Sequence, residues 1–445
     1  MRFRKMKYLT WSMLAALVFL SGFTTGGIAA KQTVTSNSPR TLTVDYFGIH
    51  FHRLQLIAGE KAIPTVWPPL QFGMVRLWDS RTRWADIEPT PNVWNFSKMD
   101  FYVAEAQKRD VKILYTLGST PAWASKRPTE PCGYGKGCAA EPADLEDWRA
   151  YVRKVAQRYR GKICCYELWN EPKFSDIKRD RNLKSFYSGS VATLVDMARI
   201  AREVLNEEDP KAMLLTPGFV NGTDRLDMFL AAGGRQYVQA VAYHFYAWND
   251  EQRMLKEIGA VRAVMQKNGV ADLPLWSTEA GVEVFEPNHP LPAGIKSRIT
   301  REEAAAQLVR QIVLSAFSGL DKYFYYAWDN DKSGMVDRAG QPRPARDAML
   351  QAQRWLIGAR LDRCEIQDAQ PTVCWGEKDA KPFAIVWNPD SRDVRDMPLP
   401  RGLRITGQQQ AVPGWASAVR VPSNAGSLVA TPNPTFYSLE RVPTP

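Results

Sequence analysis

Short apolar runs alternate with longer stretches whose apolar residues recur every three to four positions. The short runs, four to nine residues long, read as buried strands. They fall at 44–52, 73–78, 111–117, 163–169, 212–216, 238–245, 273–279 and 322–327. Helical periodicity fills the intervals at 97–109, 143–159, 185–206, 225–232, 251–268, 300–318 and 344–357, with Ser97 expected as a cap. Thr300-Arg301-Glu302-Glu303 has the capping-box pattern. Eight strands alternating with helices imply parallel strands, and eight units imply a closed (β/α)8 barrel over 44–358. From Leu361 the pattern changes to short runs broken by Pro, Gly, Asn and Asp. Residues 359–445 therefore read as a small, sandwich-like antiparallel β-domain. The polar segment 31–43 reads as irregular.

In a parallel barrel the chemistry lies at the carboxyl ends of the strands. Those ends carry His50, Arg76, Trp78, Glu171, His244, Tyr246, Glu279 and Trp328. The run Ile163-Cys164-Cys165-Tyr166-Glu167-Leu168-Trp169, apolar or β-favouring apart from Glu167, meets Asn170-Glu171-Pro172, and proline cannot continue a central strand. Glu171 is thus expected where strand becomes loop, and Glu279 ends a second such run. Each glutamate alone could be a solvated loop residue. Two together, among imidazoles and indoles, point to a paired-carboxylate site. Arg76, inside an apolar run, needs a buried partner, either a site carboxylate or a structural one. His50 and His52 have the same parity and share a face. A metal there lacks a third ligand in the sequence, so a substrate contact or a structural role is expected instead.

Composition narrows the class. The chain has 445 residues, 45% hydrophobic and 24% charged, which suits a globular protein of one large and one small domain. Tryptophan is usually a core residue, but a surplus, here fifteen, also suits packing against sugar rings. Arg2, Arg4, Lys5 and Lys7 precede an apolar run and small residues ending at Ala30. Residues 1–30 read as a secretory signal, with an uncleaved anchor as the alternative. This leader holds four of the basic residues behind the net charge of +11, and no nucleic-acid motif is evident. The nearest basic stretch, 173–184 with Lys178, Arg179 and Arg181, is a solvated loop or an anionic-sugar contact. Export permits disulfides. Cys132 pairs with Cys138 and Cys364 with Cys374 by proximity, while adjacent Cys164 and Cys165 stay reduced. No zinc spacing is present.

On Trp-Asn-Glu-Pro (169–172), Ser-Thr-Glu-Ala-Gly (277–281), His-Phe-Tyr (244–246) and Ile-Glu-Pro…Trp-Asn-Phe (87–96), the chain resembles clan A glycoside hydrolases, most closely family 39. The resemblance implies a retaining enzyme with Glu171 as acid/base and Glu279 as nucleophile. It implies that Asn170 binds the sugar 2-hydroxyl, Tyr246 sits beside the nucleophile, His244 binds substrate and Trp328 floors the subsite. Glu171 should then have a raised pKa while Glu279 stays ionised. No metal or organic cofactor is required. The resemblance implies an oligo- or polysaccharide substrate with β-linkages, and the leader implies that it is met in the periplasm or outside the cell. Such proteins include β-xylosidases, iduronidases and endoglycosidases of exopolysaccharides, and no residue here selects one. The alternative is a non-catalytic carbohydrate-binding protein on the same barrel. A structural envelope protein would bury Trp123 and Trp328.

Overall fold

The computed structural model describes residues 32–35, 40–56, 63–181, 185–246, 250–285, 287, 290–291, 297–367, 370–389, 394–415 and 426–443. The leader expected at 1–30 lies outside the described residues. Eight strands form the central sheet: β1 (Phe47–His50), β2 (Met74–Leu77), β3 (Lys112–Thr116), β4 (Cys165–Glu167), β5 (Met213–Leu215), β6 (Val241–His244), β7 (Leu275–Ala280) and β8 (Lys322–Tyr325). They pair in parallel in the order β5-β4-β3-β2-β1-β8-β7-β6. Gln239 N donates to Leu214 O (2.8 Å) and Thr216 N to Ala240 O (3.1 Å), which joins the two ends. The result is a (β/α)8 barrel.

Among the described residues, seven helices of two turns or more wrap the barrel: α1 (Ser97–Gln107), α2 (Leu145–Arg158), α3 (Val191–Glu208), α4 (Asp224–Ala231), α5 (Glu251–Lys267), α6 (Arg301–Phe317) and α7 (Pro344–Leu356), besides a single turn at Trp84–Ile87. The β1–β2 connection carries no helix among its described residues. Thr300 and Glu303 form the expected capping box. Ser97 is already helical, and Asn95 Oδ1 takes its N–H instead (3.2 Å). The helix expected from 185 begins only at Val191, because Ser190 caps it through Thr193 N (3.1 Å). The preceding residues Phe186 and Tyr187 are thereby free to pack at the barrel mouth.

Strand residues are buried on both faces, as a helix-wrapped parallel sheet requires. Inside the barrel, Met74, Leu114, Cys165, Leu215, Ala240, Ala242, Trp276 and Phe324 form one apolar layer. The two large rings are accommodated by small neighbours. At Gly48 a Cβ would lie 2.2 Å from the Phe324 ring, so only glycine fits. Strand side chains alternate with period two. The inward positions one step above this layer are therefore Arg76, Thr116, Glu167 and His244, the base of the site.

The C-terminal unit is a six-stranded antiparallel sheet backed by a two-stranded one, Arg395–Pro398 with Ser427–Ala430. Val373, Val386, Leu428, Tyr437 and Leu439 pack between the two sheets. The segment expected to be irregular contributes an edge strand, Gln32–Thr35, paired antiparallel with Arg360–Ile366. An edge strand needs only backbone hydrogen bonds on one side, so a polar sequence suffices. The barrel and this unit share an interface in which Trp355 stacks on Phe436 (5.5 Å). Glu251, buried there, accepts from Arg310 Nη1 (3.0 Å) and Trp387 Nε1 (2.8 Å). Both expected disulfides, Cys132–Cys138 and Cys364–Cys374, are formed, and Cys164 and Cys165 are free thiols.

Candidate active site

The site is assembled around a fully buried arginine. Arg76, inward on β2, donates through Nε to Glu167 Oε2 (2.8 Å) and through Nη1 to Glu279 Oε2 (2.9 Å). Its Nη2 donates to Asn170 Oδ1 (2.7 Å). Burial works against its charge, but Glu167 and Glu279 outweigh that and hold its pKa above the ordinary value. Both partners expected for Arg76, site carboxylate and structural carboxylate, are therefore present. Glu167 was read only as an exception in an apolar strand. Its inward parity with Arg76 and Thr116 was the available signal, and Thr116 Oγ1 also donates to it (2.8 Å).

Glu279 reaches the mouth through a β-bulge. Trp276 points inward, so plain alternation would turn Glu279 outward. The pairing of β7 shifts between Ser277 and Glu279 against β6, and between Ser277 and Ala280 against β8. One extra residue is inserted there, and a bulge re-aims the side chains beyond it. The bulge carbonyl of Thr278 lies 3.0 Å from His50 Nε2. A carbonyl only accepts, so Nε2 carries the proton. Burial, followed by the charge of Arg76, holds the His50 pKa well below normal, so the ring is neutral. His50 thus sits under the site and fixes the bulge. His52 lies apart from it, near Asp329 (Nδ1, 3.6 Å) and Asp79 (Nε2, 4.0 Å).

Glu171 follows β4, where Asn170 forms a parallel bridge with Gly218. Its backbone is left-handed (φ 42°), held by its N–H on Gly218 O (2.9 Å). Such a conformation in a non-glycine residue is strained and is retained where surrounding contacts fix it. Glu171 Oε1 lies 2.9 Å from His244 Nδ1. His244 Nε2 faces Arg76 Nη2 at 3.5 Å, a group that can only donate. Nδ1 therefore carries the histidine proton and donates to Glu171, leaving Oε2 of Glu171 as the atom able to carry a proton. Gly218 makes this packing possible, because a Cβ there would lie 2.3 Å from His244 Nε2.

Glu279 is 7% exposed, and Tyr246 donates to its Oε1 (2.7 Å). Burial lifts its pKa above the ordinary carboxylate range; His244 and Arg76 pull it back, and Glu171 adds to the rise. The direction is opposite to a carboxylate held ionised by its surroundings as a whole. Only Arg76, His244 and Tyr246 favour the charged form. Ligand atoms of Glu171, His244 and Glu279 lie within 4.8 Å of one another, a spacing a cation could also use. The proton on His244 Nδ1 is committed to Glu171, however, so that nitrogen is a donor and not a ligand.

Aromatic residues rim the mouth. Trp78, after β2, is buried and donates through Nε1 to Tyr134 (2.8 Å). Trp328 is also buried, at 2%, in the hydrophobic core. The half-buried ring at this end of β8 is Tyr326, which donates to Asp79 (2.6 Å) and faces His50 and His52 (centroids 5.1 and 5.2 Å). Burial of Trp328 is what an envelope protein would show, but Trp123 is half-buried and Tyr134 is 37% exposed at the mouth. Two arginines of the basic loop after Glu171 are engaged by protein groups. Arg179 bonds Asp224, and Arg181 donates to Ser175 O (2.8 Å).

Comparison with known proteins bears on the fold. No family model matches the chain. It is 26% identical over 216 residues to an endo-1,4-beta-xylanase 2 of Claviceps purpurea, covering 46% of this chain and 62% of that protein. The match thus spans less than two thirds of the relative. A family 39 glycoside hydrolase from Bacteroides cellulosilyticus WH2 superposes with a TM-score of 0.63 at 16% identity, over 90% of this chain and 83% of that one. A glucosidase from Croceicoccus marinus gives 0.62 at 15% identity, over 94% and 100%. The chain has the fold of these clan A glycoside hydrolases, barrel and attached β-domain together.

Proposed function

We propose that the protein is an exported retaining glycoside hydrolase that cleaves β-linkages in an oligo- or polysaccharide. The observation that carries the reading is the pair Glu171 and Glu279. One carboxylate oxygen from each lies within 4.8 Å of the other. Retaining enzymes hold their carboxyl groups ~5–5.5 Å apart, and inverting enzymes need ~6.5–9.5 Å to admit water. The similarity to a xylanase and the fold shared with a family 39 enzyme and a glucosidase support the same class.

In this mechanism Glu171 Oε2 gives its proton to the glycosidic oxygen while Glu279 attacks the anomeric carbon. The bond to the leaving sugar breaks and an ester to Glu279 forms. Water then enters, Glu171 takes its proton, and the ester is hydrolysed with net retention. Tyr246 and Arg76 hold both oxygens of Glu279 and favour its ionised form. Asn170 gives its oxygen to Arg76, so its amide N–H points to the sugar 2-hydroxyl. Two disulfides support an oxidising compartment. No helix among the described residues is long and apolar enough to cross a membrane.

The test is hydrolysis of a panel of aryl β-glycosides and polysaccharides by wild type beside Glu279→Ala. Turnover that disappears in the variant is expected. Turnover that survives would remove Glu279 from the mechanism, and sugar binding without turnover in wild type would favour the non-catalytic alternative.

A further inference from the structure

The connection after β3 reaches back over the barrel mouth. Within it, Pro131–Cys132 and Gly135–Lys136 form a small hairpin closed by Cys132–Cys138. Tyr134 sits at its tip, and each part of its side chain is fixed. The phenol accepts from Trp78 Nε1 (2.8 Å) and donates to Asp79. One ring neighbour is Phe186, stacked at 5.3 Å, and the Arg83 guanidinium lies 3.7 Å from the ring centroid. Through Asp79 the phenol is joined to Tyr326, whose ring faces His50 beneath the site (centroids 5.1 Å).

Asp79 ties the wall together. It accepts from Tyr134 and from Tyr326 (2.6 Å), so one carboxylate bridges the ends of β2 and β8. It lies 4.0 Å from His52 Nε2. Two nearby cations are engaged by carboxylates. Arg76 is held by Glu167, Glu279 and Asn170 beneath the site, and Arg83 is held by Asp86 (2.8 and 3.2 Å). With Glu171 and Glu279 alongside, this face of the cleft presents carboxylate and phenol groups. Hydroxyls can bond to such groups, whereas a second carboxylate would meet like charge.

We propose, resting on the glycosidase reading above, that Tyr134 is a specificity-determining residue. The disulfide-closed hairpin sets it as a wall of the substrate cleft, where with Asp79 and Tyr326 it recognises the hydroxyls of a neutral sugar ring and excludes a uronate. The Cys132–Cys138 bridge thereby acts on substrate affinity through Tyr134.

The experiment compares aryl β-xyloside, β-glucoside and β-glucuronide with wild type, Tyr134→Phe, Tyr134→Ala, Asp79→Asn and the Cys132→Ser/Cys138→Ser double variant. Wild type should favour the best neutral substrate over the glucuronide by at least about 100-fold in kcat/KM. Tyr134→Ala and the cysteine variant should both raise KM about tenfold or more, with kcat changed far less. Tyr134→Phe, which keeps the ring and the loop, should raise KM by a smaller factor. Asp79→Asn should narrow the neutral-to-uronide ratio about tenfold or more. A wild-type preference for the glucuronide overturns the proposal, as do unchanged KM values and ratios across the variants. If wild type turns over none of these and none of the polysaccharides in the panel above, the hydrolase reading fails instead. Calorimetric titration with neutral and uronic-acid oligosaccharides then decides the recognition claim, and preference for the uronide overturns it.

Discussion

Removing the Arg76 side chain as Arg76→Met tests whether the buried ion cluster works as described. Arg76 is inaccessible and is the shared partner of Glu167 and Glu279. At 2.9 Å and an effective dielectric of ~20, the attraction to Glu279 alone is about 6 kcal/mol. Much of that offsets desolvation, and breaking a buried pair by removing one partner costs about 3–5 kcal/mol. The loss should depend on pH. Burial already raises the Glu279 pKa above its unfolded value. A group raised in this way adds its stability below the unfolded pKa and loses it as pH rises through the folded one. Without Arg76 the folded pKa rises further, so the window of loss extends to higher pH. Urea unfolding followed by tryptophan fluorescence from pH 4 to 8 measures this. The deficit of Arg76→Met should be about 3–5 kcal/mol at pH 7 and should shrink towards pH 4. Adding Glu167→Met should recover part of it. A deficit below about 1 kcal/mol at pH 7, or one that does not shrink on acidification, would refute the reasoning.

Other expectations follow from single contacts. Gly218→Ala places a Cβ 2.3 Å from His244 Nε2 and should lower kcat about 100-fold by displacing His244 from Glu171, read by steady-state kinetics. The acidic limb of kcat/KM should lie above the ordinary glutamate range, because the attacking carboxylate must be ionised and its pKa is raised. Tyr246→Phe should move that limb higher still, since the Tyr246 hydrogen bond favours the charged form; a limb that stays or moves lower contradicts the assignment. Cys364→Ser/Cys374→Ser opens a loop of sequence separation 10 and should cost about 3 kcal/mol of unfolding free energy in the C-terminal unit.

Much of the architecture was legible because a parallel barrel writes itself as repeated apolar runs, and its ends carry polar residues. Glu171 could be placed by Pro172, and Glu279 by the end of its run. What could not be read depends on register and on long-range packing. The bulge at Thr278 that aims Glu279 leaves no local sequence mark, and neither does the role of His50 beneath it. Glu167 looked like an exception in a strand until Arg76 arrived from another strand, far away in sequence. At the end of β8 two aromatic residues compete, and the cleft receives Tyr326 while Trp328 enters the core. Phe186 continued a helical apolar pattern, but the cap at Ser190 released it to stack on Tyr134. Gln32–Thr35 became a strand through backbone pairing alone, which composition does not encode.

The most direct test of the central claim is covalent trapping. The enzyme is incubated with a 2-deoxy-2-fluoro glycoside bearing a good leaving group and the sugar it hydrolyses fastest. Intact mass and peptide mapping then locate any adduct. The account predicts one glycosyl unit per chain, attached to Glu279 and absent from Glu279→Ala. An adduct on another residue, or active enzyme that turns over substrate without ever forming one, would contradict it.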